Sequence, residues 1–136
     1  MARITARIER TSYETHLSSG SQVVVVDEPP DVGGQDKGMR PGELLAGSLA
    51  ACTVITLRMY ADRKGWPLDS VVAHVDYAND PKTKRSLFTT QLILNGDLND
   101  DQRARLLEMA DRCPIHKALE NPADFTTTLV DFPGNE

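Results

Sequence analysis

The run Pro41-Gly42-Glu43-Leu44-Leu45-Ala46-Gly47-Ser48-Leu49-Ala50-Ala51-Cys52, continued by Thr53-Val54-Ile55-Thr56-Leu57-Arg58-Met59-Tyr60-Ala61-Asp62-Arg63-Lys64, decides the fold. Its spacing predicts one long helix. Pro41 suits the first turn, and Glu43 stands where a carboxylate complements the helix dipole. Leu44, Leu45, Leu49, Cys52, Ile55, Thr56 and Met59 recur at helical spacing. Arg58, Arg63 and Lys64 gather toward the C-terminal end, and Gly65 stops the helix. The length is about 35 Å at 1.5 Å per residue. From Ala46 to Ala51 there is almost no side-chain bulk, so another element can approach closely. That element is either the chain's own sheet or the same helix of a second copy.

Outward from this helix the chain reads as strands. Arg3 to Arg10 suits a first strand. Tyr13 to Leu17, the Ser18-Ser19-Gly20-Ser21 turn and Gln22 to Val26 form a hairpin, and Val23 to Val26 are strongly β-forming. Asp27 to Arg40 is a loop, because Pro29-Pro30, Gly33-Gly34 and Gly38 exclude regular structure. A loop this long is often functional. Beyond the helix, Leu68 to Tyr77 and Arg85 to Leu94 are strands joined at Asn79-Asp80-Pro81-Lys82. A second helix starts at Asn99-Asp100-Asp101 and ends near Arg112, with Leu106, Leu107 and Ala110 on its narrow apolar face. Pro114 opens a short helix to Leu119. Phe125 to Phe132 alternates Thr with apolar residues and closes the chain as a strand. The expected order is βββ-α-ββ-α-α-β, an α+β fold with mainly antiparallel sheet.

At 136 residues the chain is expected to form a single domain, 1–136. No window is expected to approach the length needed to span a membrane. The start, Met1-Ala2-Arg3-Ile4, lacks the apolar core of a secretory signal, so the expected location is cytoplasmic. The net charge of −5 and the 5% aromatic content argue against nucleic acid as a partner.

The two cysteines, Cys52 and Cys113, are the only ones, and neither lies in a CxxC pair. In a reducing compartment such thiols are reactive or simply buried rather than a static staple. Cys52 lies mid-helix, beyond the reach of the N-terminal dipole, so an activated thiolate there needs a nearby cation. Arg40, Lys37, His16 and the arginines of the first strand are the candidates. Cys113 falls at the N-cap of the helix that Pro114 opens, a setting that lowers a thiol pKa, and it is expected to be exposed. From spacing alone, simple packing is the favoured reading of Cys52. Cys113 and His116 also have the spacing of a metal-ligand pair, but a second close pair is missing.

These residues resemble the OsmC/Ohr family, the OsmC-like proteins that include the organic hydroperoxide resistance proteins. Pro41 to Cys52, followed by Thr53 to Tyr60, is similar to the family's central helix. Asp27-Glu28-Pro29-Pro30 with Gly33-Gly34 resembles the preceding loop of one OsmC-like subgroup. Asp111-Arg112-Cys113-Pro114-Ile115-His116-Lys117-Ala118-Leu119 resembles the second cysteine motif. The resemblance implies an OsmC-like fold with antiparallel sheets around the long central helix, and an intertwined homodimer. It implies a thiol peroxidase for organic hydroperoxides with no metal or haem. Cys52 would then be the peroxidatic and Cys113 the resolving cysteine, joined in a disulfide that a dithiol such as a lipoyl-bearing protein re-reduces.

Two departures bear on the site. The hydroperoxide resistance branch has a glutamate directly after the proline, where this chain has Gly42, and Glu43 stands one residue later. Nine residues on a helix is about 900°, half a turn out of phase, so Glu43 and Cys52 face opposite sides. Glu43 therefore serves a partner's Cys52 across a dimer, or it only caps the helix. The same branch uses an upstream arginine, but Asp27 to Met39 contains none and Arg40 is the nearest. The alternative expectation is a non-enzymatic module of the same fold that binds a small hydrophobic ligand or senses redox state.

Overall fold

The structure, a computed structural model, describes residues 2–131. Its elements are β1 (Thr5–Ile8), β2 (Thr15–Ser19), β3 (Gln22–Val26), α1 (Pro41–Lys64), β4 (Leu68–Asn79), β5 (Ser86–Gly96), α2 (Asp100–Ala110) and α3 (Pro114–Glu120). They belong to two compact units. One reaches to Leu44 and takes up the segment from Phe125, and the other is Leu45–Asp124.

The first unit is built on the antiparallel sheet β1-β2-β3. Its β2–β3 hairpin turns on Gly20 and Ser21. Gly20 has φ +58° at the first turn position, as a II′ turn requires. The loop after β3 is held by a buried carboxylate. Asp27 Oδ1 accepts the Glu28 N–H at 2.7 Å, and Oδ2 accepts the Gln35 and Lys37 N–H groups at 3.2 Å each. This folds the loop back until Met39 bridges Val26 in parallel. The return is so close that a Cβ on Gly34 would overlap the Glu28 carbonyl, and one on Gly38 the Val25 carbonyl.

In the second unit α1 ends as Gly65 predicts. Gly65 has φ +68°, its N–H donates to Asp62 O, and the Trp66 N–H donates to Ala61 O. This is the Schellman arrangement, which satisfies carbonyls the helix leaves open. β4 and β5 pair from Leu68↔Gly96 to Asn79↔Ser86, and the pair Tyr77↔Phe88 stacks with centroids 4.9 Å apart. Asn99 caps α2 through a reciprocal box with Gln102. The core gathers Leu57, Tyr60 and Ala61 of α1, Leu68 of β4, and Leu106 and Ala110 of α2. Burying a leucine such as Leu57 stabilises the fold by about 1.5–3 kcal/mol. Arg105 Nε donates to the Tyr60 hydroxyl at 3.0 Å and ties α2 to α1.

Mixed helix and antiparallel sheet with one long helix is the expected class. The closing strand differs. Among the described residues, 125–131 have no regular structure, and Phe132 lies outside them. Phe125 is 90% exposed and Leu129 fully so. Alternation alone does not make a strand; an edge must pair with it, and this segment has no ladder here.

A second correction concerns α1. Its best 18-residue window has mean hydropathy 1.5, so by length and composition this helix is able to span a bilayer, contrary to the sequence expectation. The same composition serves a helix with a packed face, and Leu49, Thr53, Leu57, Tyr60 and Ala61 form that face here. The bulk-free stretch does not lie on a sheet throughout, since a Cβ added at Gly47 would meet nothing within 4 Å.

Candidate functional site

Cys52 flanks the packed face of α1. Thr53, the next residue, is buried with Leu49 and Leu57 one turn to either side, while Cys52 itself is half-buried. Cys113 lies in the short link between α2 and α3 and is the N-cap of α3. Its Sγ accepts the His116 N–H at 3.2 Å. Thr53 Oγ1 donates to Leu49 O at 2.9 Å and lies 4.0 Å from Cys113 Sγ. Both thiols are free, and Cys113 lies near enough to Cys52 to act on its ionisation.

The expectation of an exposed Cys113 is corrected, because the residue is 0% exposed. An N-cap side chain turns back over the first turn of its own helix, and here that turn points the sulfur at Thr53 and Cys52. Of the two thiols, Cys52 is the one solvent reaches.

Burial pushes the Cys52 thiol above the ordinary value, and the adjoining Cys113 thiol pushes it further. The Ile115 N–H and the Thr56 hydroxyl act in the opposite direction without reversing it. None of these three groups is a cation. Of the candidate cations read from the sequence, Lys37, His16, Arg7 and Arg40 are engaged in the first unit. Lys37 Nζ is 3.2 Å from Glu14 Oε1, and His16 Nε2 is 2.9 Å from Glu14 Oε2. Those two partners hold the Glu14 carboxyl below the usual range. Arg7 pairs with Glu9. Glu43 Oε1 accepts the Arg40 backbone N–H at 2.9 Å and lies 3.8 Å from the Arg40 guanidinium.

The structure thus brings Cys52 and Cys113 together in one unit, and Arg40 and Glu43 together in the other. It adds Thr53, Thr56 and the Ile115 N–H, which sequence reasoning missed. Thr56 was open to detection, since it stands four residues after Cys52 and a helix places such residues on one face. The Cys113–His116 spacing is used as a cap, and His116 Nδ1 is 2.9 Å from Asp111 O. Among the described residues no three His, Cys, Asp or Glu side chains converge as a metal site. Beside α3 a cleft of 500 Å³ has Leu49, Phe88 and Leu119 on its apolar side and Arg85, His116 and Glu120 among its polar residues.

Comparison with known proteins places this arrangement in a family. The OsmC-like protein family matches residues 34–128. Comparison with curated proteins finds no significant match. Among solved structures, an OsmC-like protein from Mycoplasma pneumoniae is 20% identical, with TM-score 0.76 over 88% of this chain and 87% of that one. The organic hydroperoxide resistance protein OhrB of Bacillus subtilis is 26% identical, with TM-score 0.59 over 87% and 89%. An organic hydroperoxide resistance protein OsmC from Legionella pneumophila is 22% identical, with TM-score 0.64 over 88% of each chain. With that match spanning most of its length, the chain belongs to the family of OsmC-like proteins.

Proposed function

We propose that the protein reduces organic hydroperoxides through Cys52, with Cys113 as the resolving thiol. The observation that carries this reading is that the buried Cys113 sulfur lies 4.0 Å from the hydroxyl of Thr53, the residue next to the partly exposed Cys52. A hydroperoxide reaches Cys52. The Cys52 thiolate attacks the terminal oxygen, the O–O bond breaks, and the alcohol leaves with a proton, so that Cys52 becomes a sulfenic acid. Cys113 sulfur then attacks Cys52 sulfur, the S–O bond breaks, and water leaves behind a disulfide. A dithiol, such as a lipoyl group carried on another protein, restores both thiols by exchange.

Self-association is part of the proposal. Gly47, Ala51, Ile55 and Met59, four residues apart, form an exposed apolar stripe on α1 that a second copy would cover. A copy bound there is also the route by which Arg40 or Glu43 would act on a Cys52 other than its own. The test is turnover of cumene hydroperoxide and of hydrogen peroxide with a dithiol as reductant. The organic substrate is consumed faster, and Cys52→Ser abolishes the activity; a Cys52→Ser protein with full turnover would falsify the reading.

A second reading rests on the raised Cys52 thiol. A module that only senses oxidation, or holds a hydrophobic ligand in the cleft beside α3, does not need a thiolate at neutral pH. Slow hydroperoxide turnover together with saturable ligand binding favours it.

A further inference from the structure

Cys113 uses one sulfur for two purposes. The Sγ caps α3 by accepting the His116 N–H at 3.2 Å, and it lies 4.0 Å from the Thr53 hydroxyl, beside Cys52. Besides this cap, the start of α3 has the Ile115 N–H beside the Cys52 sulfur and the His116 ring 2.9 Å from Asp111 O. The helix has seven residues, none of them buried, and Pro114 at its first position donates no hydrogen bond. Asn121 Nδ2 donates to Lys117 O at its far end. A helix so short is marginal in water without its cap and its packing. Through His116, Leu119 and Glu120 the same helix forms a wall of the cleft that Leu49 and Phe88 complete.

Two neighbouring sulfurs must close to about 2.05 Å, with a dihedral near ±90°, before they are bonded. One side has to yield. Cys52 is fixed in the middle of a 24-residue helix with Leu49, Thr53 and Leu57 buried beside it. Cys113 stands in the short link before α3. The sulfur that moves is therefore the one on Cys113, and it moves away from the His116 N–H.

We propose that closing the Cys52–Cys113 disulfide uncaps α3, so that oxidation of the thiol pair loosens this helix and reshapes the cleft it walls. The inference rests on the peroxidase reading only for the oxidant, an organic hydroperoxide. That oxidant accepts the two electrons and both thiol hydrogens, and leaves as alcohol and water.

Amide hydrogen exchange of the full chain tests this, measured reduced and after oxidation with cumene hydroperoxide or with diamide. Loss of two hydrogens by mass counts the disulfide. In the disulfide form the His116 amide exchanges about fivefold faster, the factor a typical N-cap is worth, while amides of α2 are unchanged. In the reduced chain Cys113→Ser keeps His116 protected, because serine caps well, and Cys113→Ala loses that protection. A disulfide form with His116 as slow as in the reduced chain overturns the proposal. So does a reduced Cys113→Ala protein with unchanged protection. If diamide joins the pair and cumene hydroperoxide does not, the peroxidase reading fails and the diamide product still decides this inference. Thiols that neither oxidant can join overturn both.

Discussion

Glu43 Oε1 accepts the backbone N–H of Arg40 at 2.9 Å, which makes Glu43 half of a capping box at the start of α1. Arg40 is the residue before the helix and Glu43 its third position, so the carboxylate satisfies a donor that the helix itself cannot. The guanidinium at 3.8 Å adds little, as both side chains are more than half exposed. Glu43→Ala is expected to cost about 0.5–1 kcal/mol in denaturant unfolding, and Glu43→Gln to cost less because an amide oxygen still accepts. Turnover separates the cap from a catalytic role. If Glu43 only caps, the Gln variant keeps full hydroperoxide activity; loss of activity in a stable Gln variant means that the charge itself acts on a thiol.

The Cys52 thiol makes a prediction about pH. Burial first, and then the Cys113 thiol, raise its pKa. The folded chain therefore keeps this proton at a pH where the unfolded chain, near an ordinary thiol pKa of about 8.5, has lost it. Stability is unaffected below that range and falls as pH rises through it toward the folded value, and Cys52→Ser flattens the fall. The rate constant for alkylation of Cys52 by iodoacetamide should keep rising above about pH 8.5. A plateau already reached near neutrality would show that a cation lies against the sulfur in solution.

What could be read without the structure follows from where each signal resides. The bounds of α1 are local punctuation, Pro41 at one end and Gly65 at the other, and both hold in the structure. Asn99 before α2 and the Gly20 turn are of the same kind. The segment from Phe125 alternates as a strand does, yet the pattern carries no information about whether an edge is free to pair with it. Cys113 was legible as an N-cap, but the cap position specifies the backbone and not what the side chain meets. Its burial depends on Thr53, which is 60 residues away. The thiol pair itself is legible only through resemblance to a family, since spacing alone favours a packed Cys52 and allows Cys113 to be an indifferent cap.

Adjacent leucines on α2 offer a test of the core. Leu106 is fully buried against Leu57, Tyr60 and Ala61, whereas Leu107 is 63% exposed. Leu106→Ala removes buried methyl groups and leaves a cavity, at a cost of about 2–5 kcal/mol. Leu107→Ala is expected to stay within about 0.5 kcal/mol of the parent chain. Urea unfolding of the two variants checks both values. A large loss for Leu107→Ala would reveal that this face is covered in solution, as by a second copy of the chain.

Asp27 holds the loop that leads into α1, through hydrogen bonds spanning one, eight and ten residues. Burial by itself raises a carboxyl pKa, but the N–H groups of Glu28, Lys37 and Gln35 outweigh it and hold Asp27 below the usual aspartate range. Its contribution to stability is therefore present above that range and is lost as pH falls through the folded value. Asp27→Asn keeps the shape but replaces one accepting oxygen with an amide NH₂, which leaves at least one backbone donor facing another donor. The melting temperature should fall by several degrees at neutral pH, and the difference from the parent should shrink as pH drops below the usual aspartate range toward the lower value at which the folded parent carboxyl takes up its proton. Amides of Gln35 and Lys37 should exchange faster in the variant while those of α2 do not. A variant with parent-like melting and unchanged exchange at Gln35 and Lys37 would mean that Gly34, Gly38 and the Val26–Met39 bridge suffice to close the loop without the carboxylate.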